Sequence, residues 1–130
     1  MGTALGPLAA QAVPGAMNAA GGDAHILADR LLQAYPARPS LEAIGAVFWR
    51  EAAVSPLARQ ARLPHAIQDL LRHLDLPEAD LRRMSPTAIR SRIKAGTARD
   101  FSKCRIVQLR GWLLGETEAR LCAIAALRTA

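Results

Sequence analysis

Apolar positions recur at helical spacing along most of this chain. The cleanest case is the stretch from 64 to 74, where Ile67, Leu70, Leu71 and Leu74 follow i, i+3, i+4, i+7. Pro64 opens it at a position where a missing N–H costs nothing. Upstream, Leu27, Leu31 and Ala34 share one face of a segment from Ala24 to Tyr35, with Ile26 beside them and Asp23 placed as N-cap. Pro36 and Pro39 close that segment. Ser40 caps a second one, 41–53, whose stripe is Leu41, Ile44, Phe48 and Ala52, with Trp49 flanking it. Ser55-Pro56 announces a short helical turn to Arg62, and Pro77 a brief helix through Arg83. Ser85-Pro86 opens a longer helix to about Phe101, with Ile89 and Ile93 inward and Gly96 weakening its last turns.

The texture changes at Arg105. The run to Leu114 reads RIVQLRGWLL, too short and too branched for a helix, with Arg110-Gly111 between two apolar pieces. A tight β-hairpin is the expected solution, with Gly111 at positive φ. From Glu116 to Leu127 the helical pattern returns. Glu116 and Glu118 suit the positive end of the helix dipole, and Glu116 and Arg120 form an i, i+4 pair. Every residue from Leu121 to Leu127 is apolar or Cys, which predicts a helix buried on most sides at the centre of a bundle. The expected fold is therefore mainly α: a small bundle of five or six helices with one short hairpin near the C-terminus. Its core should include Leu27, Leu31, Ile44, Phe48, Ile67, Leu70, Leu71, Leu74, Ile89, Ile93, Leu121 and Ile124.

The first 22 residues carry no charge and are rich in Ala and Gly. They read as a signal-peptide-like segment or a flexible tail ahead of a single domain, 23–130. Gly6, Pro7, Pro14 and Gly15 argue against a packed helix there. Leu5, Pro7, Leu8, Ala9 and Ala10 form a weak apolar region, and Ala10-Gln11-Ala12 has the small-x-small form of a signal-peptidase site. The basic n-region is missing, which places the true start upstream of Met1 or the protein in the cytoplasm. No apolar run predicts a transmembrane helix.

Chain length, 130 residues, suits one domain with its own core. The net charge is +6, and only Lys94 and Lys103 of the 17 basic residues are lysines. From Arg82 to Arg110 nine cations face a single acid, Asp100. Such a stretch suits phosphate or an acidic protein. Base reading would need a recognition helix after a helical turn, and single strands would need stacking aromatics; neither pattern is present. A solvated or protein-docking face is the preferred reading, with Arg82, Arg83, Arg90, Arg92, Lys94, Trp112 and Arg120 as the partner-binding candidates. The alternative is a cytosolic nucleic-acid-binding module using residues 82–110.

Catalytic, cofactor and metal constellations are missing. There is no nucleophile elbow, Walker loop or dinucleotide fingerprint. The two cysteines, Cys104 and Cys122, and the three histidines match no metal spacing. His25 with Asp29 and Asp69 with His73 are i, i+4 pairs of the ordinary surface kind. Two free thiols are expected rather than a disulfide, because Cys122 falls inside an apolar helix and Cys104 in a polar loop. Thr117 is positioned to bond back to its helix or cap it, and Trp112 to pin the hairpin on the bundle, its N–H seeking an acceptor.

The segment Gly111-Trp112-Leu113-Leu114-Gly115-Glu116-Thr117-Glu118-Ala119-Arg120-Leu121-Cys122 resembles the closing segment of short bacterial proteins that carry twin-arginine export signals. The mild Gly/Ala character of the N-terminus is similar to the hydrophobic part of such a signal, although no Arg-Arg pair precedes it. The resemblance implies a periplasmic, non-catalytic accessory subunit without cofactor. Its partner would be larger, of the dehydrogenase-subunit kind, with the signal of one chain serving both.

Overall fold

The computed structural model describes residues 14–35, 38–53, 55, 58, 59 and 61–129. Among them are six helices and one hairpin: α1 Pro14–Leu32, α2 Arg38–Glu51, α3 Leu63–Leu74, α4 Glu78–Arg83, α5 Pro86–Ser102, β1 Ile106–Leu109, β2 Trp112–Gly115 and α6 Glu116–Thr129. The fold is the expected mainly helical bundle with a hairpin near the C-terminus. The Ala10-Gln11-Ala12 motif lies outside the described residues.

Helix α6 is the hub. It packs on α1, α2, α3, α5 and both strands. Its residues Leu121 to Ala125 and Leu127 are buried, as its all-round apolar sequence requires. Around it, Leu27, Leu31 and Leu32 of α1, Ile67, Leu70, Leu71 and Leu74 of α3, and Ile89 and Ile93 of α5 close one core. A smaller cluster under the hairpin joins Leu109, Leu114 and Ala119 to Ile44, Val47 and Phe48 of α2.

Three expectations need correction. Helix α1 begins at Pro14, not after Asp23. Pro14 occupies the first helical position, where proline and the glycine after it do not break a helix. Asp23 is thus inside the helix, and its carboxylate lies 3.1 Å from Arg82. Helix α2 begins at Arg38, ahead of Ser40, again with proline in its first turn. The buried line of α2 is also rotated. Gly45 and Trp49 face inward, while Ile44 and Phe48 are only half-buried.

Gly45 explains the rotation. A Cβ built on it would stand 1.9 Å from the Cys122 carbonyl oxygen, so only glycine lets α2 and α6 approach this closely. The indole N–H of Trp49 then donates to Ala123 O at 2.9 Å, across the same contact. The anchoring tryptophan is Trp49, and Trp112 is 59% exposed. Gly96 likewise serves packing: a Cβ there would meet Leu74 Cδ2 at 2.4 Å.

In the hairpin, Val107 pairs with Leu114 and Leu109 with Trp112. Arg110 and Gly111 both have positive φ, 47° and 86°, the signature of a turn whose twist matches the strands. Arg110 accepts this conformation, and its guanidinium donates to Glu51 at 3.0 Å. Leu109 and Leu114 point to the bundle, and Ile106 and Leu113 face solvent.

Candidate functional site

The basic stretch is where the sequence places a docking face, and the structure divides it. Arg90 Nε donates to Ala34 O at 2.9 Å. Arg92 donates to Leu74 O and Asp75 O at 2.6 and 3.2 Å, and Arg99 to His73 O at 2.9 Å. Arg30 does the same for α4, reaching Leu81 O and Met84 O. The last carbonyls of a helix have no intrahelical partner. These guanidiniums supply one and suit the negative end of the dipole. Arg90 and Arg92 are therefore clamps between helices. Neutralising Arg92 to Met should lower stability by about 1–2 kcal/mol, the cost of orphaning two carbonyls; urea titration of the variant checks this.

The remaining candidates stay nearer solvent. Arg82 is shared between Asp23 and Glu78. Arg83 pairs with Asp80 at 3.0 Å. Lys94 is exposed on the outer face of α5. Arg120 reaches Glu116 at 3.4 Å, the expected i, i+4 contact. Trp112 sits apart from all of them. With Leu109 and Arg110 it forms one wall of an apolar groove, and Ala43, Ile44 and Val47 of α2 form the other. The groove holds about 240 Å³. Leu113, beside it in sequence, is 60% exposed.

A second constellation, not anticipated from sequence, joins α3, α5 and α6. Asp100 is fully buried. Its Oδ2 accepts from Thr117 N at 2.6 Å, and its Oδ1 lies 2.8 Å from His73 Nε2. An ionised carboxylate can only accept, so Nε2 carries the proton. His73 Nδ1 then faces Glu116 Oε1 at 3.8 Å. The expected Asp69–His73 pair is absent, since Asp69 bonds Arg72. The His25–Asp29 pair gives way likewise, Asp29 accepting from Arg128 at 2.8 and 3.2 Å.

Asp100 does the work of an N-cap. Strand β2 runs directly into α6, so no Ser or Asp precedes the helix locally. Its free N–H groups are served from elsewhere. Thr117 N goes to Asp100, and Glu116 N donates to Arg105 O at 3.0 Å. Glu118 Oε1 reaches back to Gly115 N at 3.2 Å, half of a capping box. The Thr117 hydroxyl is buried beside the carboxylate, but the bond that caps the helix runs from Thr117 N to Asp100, so the capping role expected of Thr117 passes to Asp100. Burial pushes the Asp100 carboxyl up, but the bonds from Thr117 and His73 outweigh it and hold the group below its ordinary value. One signal was legible: Ile89, Ile93, Gly96 and Asp100 lie on one buried stripe of α5, so Asp100 is a lone acid on an apolar face.

Both cysteines are free thiols. Burial first, then the charge of Glu118, pushes Cys122 up to about 12. In the native protein a thiol reagent at neutral pH should modify Cys104 alone, with Cys122 reacting only on unfolding. Two rapidly reacting thiols would contradict the buried position. Among the described residues no group of His, Cys, Asp and Glu could hold a metal ion, and no helix is long and apolar enough to cross a membrane. Comparison with protein-family models, curated proteins and solved structures finds no match.

Proposed function

We propose that this chain is an exported, non-catalytic accessory protein that docks on a larger protein in the periplasm, as a small subunit or export partner of an oxidoreductase does. The observation that carries the docking reading is Trp112, mostly solvated above the apolar groove of α2. Tryptophan and arginine beside a concave apolar surface are the residue types that dominate binding energy at protein interfaces. Arg110 supplies the cation at the rim, and its exposed ion pair with Glu51 is weak enough to exchange partners. Export is supported by the uncharged N-terminal stretch with its small-x-small motif.

The nucleic-acid alternative loses ground because Arg90 and Arg92, two of its central cations, are committed to helix carbonyls. Removing an exposed side chain should leave stability within about 0.5 kcal/mol. Tagged wild-type and Trp112→Ala chains, recovered from the periplasm of the native host, therefore test the proposal. Wild type should retain an oxidoreductase subunit that the variant, equally helical, does not. Equal retention by both would move the docking face off the hairpin. Purely cytosolic fractionation, or no retained oxidoreductase subunit with wild type, would overturn the accessory role.

A further inference from the structure

A second concavity lies on another side of the bundle, where α2, the start of α3 and α6 meet. It holds about 100 Å³. One wall is aromatic: Phe48 and Trp49, edge to face with centroids 5.2 Å apart. Because the Trp49 N–H is spent on Ala123 O, its ring offers only carbon to the pocket. Ala66 and Ala123 extend this apolar lining.

The polar side is cationic. Arg62 and Arg120 both line the pocket, with His65 between the first turns of α3 and solvent. Arg120 Nε is buried and has no hydrogen-bond partner. Its terminal nitrogen makes only the long 3.4 Å contact with Glu116. That contact is long, so the guanidinium keeps donor capacity for an acceptor in the pocket. The charges also do not cancel. Asp69, the one acid of the lining, is already bonded to Arg72, and Glu116 answers Arg120. Arg62 has no ion pair among the described residues. Arg62 is the N-cap residue of α3 and supplies no side-chain cap, so the helix adds a positive dipole end to the same field.

We infer that this pocket binds a small organic monocarboxylate with a short apolar tail. The carboxylate would accept from the Arg62 guanidinium and the terminal nitrogens of Arg120, in the charge-assisted geometry that arginine favours. The tail would lie against Phe48, Trp49 and the two alanines. One uncompensated cation selects a monoanion, and the carbon-lined wall selects an alkyl group over the oxygen-rich surface of phosphate. The inference is independent of the docking reading, since the hairpin groove shares none of these residues.

The test uses the full chain with Trp112→Phe, so that Trp49 is the sole indole reporter. Sodium butyrate should produce a saturable change in Trp49 emission and a rise in melting temperature. Butanol, and sodium chloride at matched ionic strength, should produce neither. Arg62→Met and Arg120→Met should each weaken the butyrate midpoint by about tenfold or more, the loss of one charge-assisted bond. Arg62 is exposed and its side chain makes no ion pair among the described residues, so its variant decides even where Arg120→Met fails to fold. A response that never saturates, an equal response to chloride, or an unshifted midpoint in Arg62→Met would overturn the site. Tighter binding of inorganic phosphate than of butyrate would overturn the choice of carboxylate.

Discussion

Asp100→Ala should cost about 3–5 kcal/mol, the range for removing one partner from a buried charged network. For a domain of this size that lowers the melting temperature by about 10–20 °C. The loss is large because two donors are orphaned together. His73 Nε2 loses its acceptor, and Thr117 N, at the start of the hub helix α6, loses its cap. Since α6 is the hub, a frayed first turn loosens its contacts with α3 and α5. The pH dependence follows from the direction of the shift. The folded carboxyl lies below its ordinary value of 3.8, so its contribution is present above that pH and is lost as pH falls through the folded value. Wild type should therefore lose stability below about pH 4, at up to about 1.4 kcal/mol per pH unit for this one group. Asp100→Asn, which keeps the shape, should remove that part of the acid limb. Chemical unfolding from pH 2.5 to 7 compares the two; superimposable acid limbs would show that the carboxylate is not ionised in the fold.

The second large effect is a reversal of sign. In an exposed helix, glycine to alanine is stabilising by about 1 kcal/mol. Gly45→Ala should instead destabilise by about 2–4 kcal/mol, at the upper end of overpacking penalties. The added Cβ would meet the Cys122 carbonyl at 1.9 Å and Ala126 Cβ at 2.9 Å, both on the central helix. Backbone cannot rotate out of the way as a side chain can, so the two helices must separate. Separation stretches the Trp49–Ala123 hydrogen bond, so tryptophan emission should shift to the red in the native state as well. A stabilised Gly45→Ala protein with unchanged emission would mean that α2 and α6 do not pack at this point.

Most helices were legible because their signals are local. Proline at the first turn, Ser85 accepting from Ala88 N, and the Ile67–Leu74 stripe act within a few residues. The hairpin was legible for the same reason: Arg110-Gly111 between two short apolar runs leaves few other solutions. Errors arose where a local rule admits two outcomes. Pro14 can end a segment or begin one, and the residues before it do not decide. On α2, Phe48 and Trp49 are adjacent and both apolar, so periodicity alone allowed a rotation of one position. What settled it was a glycine whose value depends on α6, far along the chain.

The candidate sites show the same division. That Arg82 to Arg110 is basic was evident from sequence, but a cation's task depends on the nearest acceptor. For Arg90 and Arg92 that acceptor is a carbonyl at the end of another helix. Asp69, four residues from His73, looked like its partner, yet the fold brought Asp100 from 27 residues away. Helical spacing brings side chains to one face, but a buried carboxylate must find donors wherever packing places them. The chain by itself determined the helical class, the element order, the hairpin and the central place of the last helix, all consequences of short-range sterics and apolar periodicity. Only the tertiary structure decided which tryptophan is buried, which arginines are clamps, and that Asp100 caps a helix to which it is not joined. Those outcomes depend on distances between segments that no local pattern encodes.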